Sequence, residues 1–64
     1  MHKQTYIVVD KRQRYAVAQV WDNAEGVQQM EVCEGLFARN MQQALAECED
    51  LGIALTHKYS LPLQ

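Results

Sequence analysis

The chain has little of what usually punctuates or cross-links a small protein: 1 proline, 3 glycines and 2 cysteines in 64 residues. So few proline and glycine residues, in a chain that is 48% hydrophobic, exclude a disordered or low-complexity linker. Two cysteines, Cys33 and Cys48, are too few for a disulfide scaffold, and both are expected to be reduced, buried, small hydrophobic side chains. Long apolar runs are missing as well. The longest are Ile7 to Val9, Tyr15 to Ala18, Ala44 to Ala46 and Ile53 to Leu55, against the roughly 20 residues needed to cross a bilayer. No secretory leader is expected either, since Asp10 breaks the first apolar run well short of the about 7 to 15 apolar residues an export signal needs. The expectation is a cytoplasmic protein without membrane contact. Cations are scarce too: 6 Lys and Arg against 8 Asp and Glu leave a net charge of -2, which argues against a general polyanion binder.

What is present points to an α+β fold in a single small domain, residues 1–64. Residues 4–10 combine aromatic and β-branched side chains and predict a strand, followed by the charged tip Lys11-Arg12-Gln13 and a hairpin partner over 14–22. Asp22-Asn23-Ala24-Glu25-Gly26 has turn chemistry, and a third strand is expected from Val27 to Cys33, ending in a bulge or strand end at Glu34-Gly35. Leu36-Phe37-Ala38 continues extended. Met41, Ala44, Leu45, Cys48 and Leu51 recur at helical spacing, with Asn40 as N-cap, Gln43 positioned to complete a capping box and Gly52 as the left-handed residue after the helix; the helix is predicted over 41–51. Residues 53–60 alternate as a fourth strand, and 61–64 form a tail whose Pro62 is a poor strand extender. The predicted fold is a three- to four-stranded antiparallel sheet with one helix packed on one face, in the order β-β-β-α-β.

Period-two alternation sorts the strands into faces. A helix approaches a sheet most closely over small side chains, so it is expected above Ala16 and Ala18, with Ile7, Val9, Val20, Met30, Val32, Leu45 and Cys48 filling that layer. The opposite face then carries Tyr6, Val8, Tyr15, Val17 and Trp21, which one helix cannot cover. Three covers are conceivable: the C-terminal tail, a second copy of the chain, or another protein. Tyr and Trp combine large contact area with a polar handle and recur in interface hot spots, so this face is the expected contact surface for a partner or a homodimer. Lys11, Arg12 and Arg14 at the rim would steer an acidic region of the partner. The alternative is single-stranded nucleic acid, stacked on the aromatic face beside that basic patch with Lys3 nearby.

The residue types that carry chemistry do not form a motif. His2, Cys33, Cys48 and His57 could each bind zinc, but they lack the closely spaced pairs of structural sites, so no metal or other cofactor is expected. Serine occurs once, at Ser60, and no phosphate-cradling glycine loop or carboxylate pair is present, so no catalysis is expected. Glu47, Glu49 and Asp50 occupy the last helical turn, where the macrodipole disfavours anions.

From Thr5 to Leu51 the pattern is similar in outline to the HicB-type antitoxins and to short phage inhibitors of bacterial RNA polymerase, in which strands precede a capped helix. Asn40-Met41-Gln42-Gln43-Ala44-Leu45 carries the likeness, with Gln43 where those families have an acid and without their glycine-centred turn. The resemblance implies a shape and transfers no functional residue. The functional expectation is a small non-enzymatic interaction or regulatory module, of a size that fits a phage or other mobile element.

Overall fold

A tight hairpin sets the architecture. In the computed structural model, which describes residues 2–63, β1 (Gln4–Val9) and β2 (Tyr15–Asp22) pair antiparallel, with Ile7 opposite Val17 and Val9 opposite Tyr15. Asp10 latches the connecting loop: its Oδ1 accepts from the amides of Arg12 and Arg14 at 2.8 and 2.9 Å, and its own amide donates to the Arg14 carbonyl. Gln13 closes the turn at φ 62, a left-handed position that costs a side-chain-bearing residue energy.

The second hairpin turns on Asn23, whose Oδ1 accepts from the amides of Glu25 and Val27, while Gly26 supplies φ 78. β3 (Gln28–Gly35) returns along β2, with a register shift between Val17 and Ala18 that leaves Cys33 without an opposite number. The chain then crosses through α1 (Met41–Asp50) to β4 (Ser60–Pro62), which lies beside β1 and parallel to it, so the sheet order is β3-β2-β1-β4. The fold is the expected α+β arrangement, with a sheet that is mixed rather than wholly antiparallel. A helix between two strands restores the chain's direction, so β4 runs as β3 does, and β3 is parallel to β1.

Local chemistry defines the helix ends. The Asn40 side chain accepts from the Gln43 amide at 2.9 Å; the Gln43 side chain reaches back one residue further than a capping box requires, to the Arg39 amide. At the other end Gly52, φ 73, donates to Glu49 and Ile53 donates to Cys48, the paired bonds of a Schellman motif.

The fourth strand is shorter and later than its alternation suggests, 60–62 instead of 53–60. The segment before it changes layers: Ile53 and Leu55 pack into the core beneath the helix, whereas His57 and Tyr59 lie against Tyr6. Thr56 is the pivot, its amide donating to the Thr5 carbonyl and its hydroxyl accepting from the Thr5 amide, both at 3.0 Å. Residues that pass from one face to the other around a sheet edge alternate like a strand without pairing as one. Leu63 donates to the Val9 carbonyl at 2.7 Å, so the intervening Pro62 faces away from the ladder, where its missing N–H has no cost. Met1 and Gln64, the last residue of the expected tail, lie outside the described residues.

The helix covers the Ile7 face of β1, as expected, but the face of β2 opposite to the one expected. Its core joins Ile7 and Val17 to Ala38, Ala44 and Cys48, with Tyr15, Leu36, Met41 and Leu45 packed around them. The small side chains that allow close approach belong to the helix and its lead-in, not to the sheet. Ala16, Ala18 and Val20 share the second face with Tyr6 and Val8, and Met30 and Val32 join them through their pairing with Val20 and Ala18. The smallest dimension, 16 Å, leaves room for one helix layer and one sheet layer.

Two backbone positions test this account. Gln13→Gly should stabilise the protein by up to about 1 kcal/mol in urea unfolding, because it removes left-handed strain. Gly52→Ala should destabilise it by about 1 kcal/mol from strain alone, since a Cβ there meets nothing within 4 Å.

Candidate functional site

The register divides the expected aromatic platform. Tyr15, Val17 and Trp21 lie on the helix face with Ile7, while Tyr6 and Val8 lie on the opposite face. Val17 and Val8 are buried in the chain's own packing, so neither offers contact area. Tyr6 is covered by the segment leading into β4: its ring stacks on His57 at 4.9 Å and meets Tyr59 edge-on at 5.6 Å, and its hydroxyl donates to Gln4 Oε1. Tyr59 and partial desolvation raise the Tyr6 pKa. The chain itself covers this ring, through His57 and Tyr59 of the segment expected to be a fourth strand and not through the 61–64 tail.

The basic tip runs directly into Tyr15, half-buried at the start of β2. The Arg14 guanidinium is paired with Asp10 Oδ2 at 2.8 Å, while Lys11 and Arg12 are exposed. Lys3 stands at the far end of β1, its ammonium 4.4 Å from the centre of the Trp21 ring. Of the rings expected beside Lys11, Arg12 and Arg14, Tyr15 adjoins the tip, Tyr6 lies on the other face and Trp21 lies at the far end of β2.

Cysteine expectations hold for Cys48 alone. It is buried under the helix, and burial, with the Glu47 charge nearby, pushes its thiol pKa up, so the thiol stays protonated. Cys33 is exposed at the β3 bulge. No group of three or more His, Cys, Asp or Glu side chains could hold a metal among the described residues, and no helix of the described residues is long and apolar enough to cross a membrane.

The surface that remains open is β3, which pairs with β2 on one side and with nothing among the described residues on the other. The Asn23 amide bonds to the Val27 carbonyl, and antiparallel pairs alternate between bonded and unbonded. Gln29 and Glu31 therefore direct their peptide groups at β2, while Gln28, Met30 and Val32 direct theirs outward. The same three residues put their side chains on the second sheet face, where Met30 is 38% and Val32 51% exposed. Glu31 and Glu34 pair with Gln19 and Val17, so the bulge places both carboxylates on the helix side of this edge. The opposite edge strand, β4, is 3 residues long and turns Pro62, which has no N–H, outward, so it offers little to pair with.

Just past β3, Phe37 stands 94% exposed between the inward-facing Leu36 and Ala38. Its amide is clamped by both Glu47 carboxylate oxygens at 3.0 and 3.2 Å, and the Leu36 amide donates to the Tyr15 carbonyl. The ring is thus held outward by a fixed backbone. Sequence reasoning passed over Met30 and Val32 as core residues and over Phe37 as a connector. One signal was visible: between Asp22 and Arg39 the chain carries Asp22, Glu25, Glu31 and Glu34 and no cation.

Comparison with protein-family models, with curated proteins and with solved structures finds no match to this chain.

Two outcomes follow from this geometry. Phe37→Ser should change unfolding free energy by less than about 0.5 kcal/mol, because the ring makes so little contact with the fold. The amides of Arg14 and Arg12 and the Arg14 side chain hold the Asp10 carboxyl below its ordinary value. Its stabilising contribution is then complete above the unfolded value near 3.9 and is lost as pH falls through the lower folded value. Asp10→Asn should flatten that acid limb in thermal melts recorded from about pH 5 downward.

Proposed function

We infer that this protein is a small binding module that takes up an extended segment of another polypeptide along β3. The carrying observation is the contrast between the two edge strands: β4 is 3 residues long with Pro62 turned outward, whereas β3 is 8 residues long, directs the peptide groups of Gln28, Met30 and Val32 outward and exposes the side chains of Met30 and Val32. An incoming strand would gain main-chain bonds from Gln28, Met30 and Val32 and apolar contact on the second face, the recognition mode known as strand addition. Natural edge strands are blunted by charge, proline, bulges or brevity; β3 carries a bulge at Cys33 and two glutamates, but its regular stretch over 28–32 has neither lysine nor proline. Regulation would follow by occupancy, since a partner segment held as a strand is withdrawn from its other contacts.

The test uses capped octapeptides of alternating Val and Gln, titrated into labelled protein. Backbone amide signals of Gln28, Met30 and Val32 should shift together and become protected from exchange. Met30→Pro should abolish the effect while leaving the melting temperature within a few degrees, because the lost N–H faces outward; Gln28→Pro provides the same test nearer the strand end. Shifts centred on the Lys11-Arg12 tip or on the helix, or none at millimolar peptide, would refute the reading.

A further inference from the structure

Resting on that reading, we propose that the segment β3 accepts is cationic and amphipathic with period two: apolar side chains on one face, Lys or Arg on the other. The two flanks of the β3 edge differ in kind. On the second sheet face an incoming strand would lie beside Met30 and Val32, both apolar and exposed. On the helix side it would lie beside Glu31 and Glu34, both exposed and brought to the same face by the bulge at Cys33. Side chains alternate across a strand, so a partner that satisfies both flanks must alternate too, with its cations falling next to the two carboxylates.

Charge also selects against a second copy of this chain as the occupant. Residues 22–38 hold four acids and no cation, so pairing β3 with itself would bring the acidic flanks of two copies together, and opposed like charges are destabilising. The chain's own cations, Lys3, Lys11, Arg12, Arg14, Arg39 and Lys58, lie outside the strand. The Glu47 carboxylate, which accepts from the Phe37 amide, stands just beyond the end of β3 and adds to the field a cationic partner meets.

The experiment compares three capped octapeptides in which Val alternates with Lys, Gln or Glu, read by fluorescence anisotropy at low and at physiological salt. The Lys peptide should bind at least tenfold more tightly than the Gln peptide at low salt, the Glu peptide more weakly still, and salt should narrow the spread. The double variant Glu31→Gln with Glu34→Gln should bring the Lys and Gln peptides within about twofold of each other and leave Gln-peptide affinity unchanged. Equal binding of the three peptides, or a Lys preference that survives this variant and disappears instead in Glu49→Gln with Asp50→Asn, would overturn the cationic assignment while leaving strand addition standing. Binding by none of the three would overturn strand addition itself. A wild-type chain that sediments as a dimer with protected Gln28, Met30 and Val32 amides would replace the cationic segment with a second copy.

Discussion

Pairing Ile7 with Val17, and not with a neighbour one residue away, is the constraint on which the rest of this structure depends. Side chains alternate strictly along a strand, so a slip of one residue would exchange the two faces of β2 against β1. The loop that fixes the pairing is short and internally bonded, with Asp10 gathering the amides of Arg12 and Arg14. Once it is set, Tyr15 and Val17 join Ile7 under the helix, and Ala16, Ala18 and Val20 join Tyr6 and Val8 on the reverse. The close helix–sheet contact then needs small residues above the sheet, which Ala38, Ala44 and Cys48 provide.

A two-layer molecule leaves its second sheet face to be covered by other means, and here the chain covers part of it. After α1 the backbone turns through Gly52, rounds the β1 edge at Thr56 and sets His57 and Tyr59 against Tyr6 before pairing as β4. One excursion therefore does two jobs, closing the outer edge of β1 and sheltering the aromatic ring beside it. Among the described residues nothing pairs with the outer side of β3, although Leu61, Pro62 and Leu63 line one groove with Gln28 and Met30. The asymmetry of the surface comes from the route of a single connection.

Features that depend on neighbouring residues were legible in the sequence. The helix, its Asn40 cap, its Gly52 terminus and the Asn23 turn all arise from hydrogen bonds spanning a few positions. Features that depend on long-range pairing were not. Alternation in 4–10 and 14–22 identifies two strands but not which residue of one opposes which of the other, and that choice alone moved Tyr15, Val17 and Trp21 away from Tyr6 and Val8. Residues 53–60 alternate because they pass between layers, a pattern identical to that of a strand. Met30 and Val32 look like core residues in a chain this apolar, and only the sheet order reveals that β3 lies at an edge. The stretch without cations from Asp22 to Arg39 was the available hint that this region faces outward.

Amide hydrogen exchange of the free protein, read residue by residue along β3 in dilute solution, tests the central claim most directly. An open outer edge predicts a two-residue rhythm before the bulge: Gln28, Met30 and Val32 exchange rapidly, while Gln29 and Glu31, bonded to β2, are slow. Uniformly slow exchange along 28–32, or slow exchange at the even positions, would mean that this edge is already occupied or differently paired, and would contradict the account.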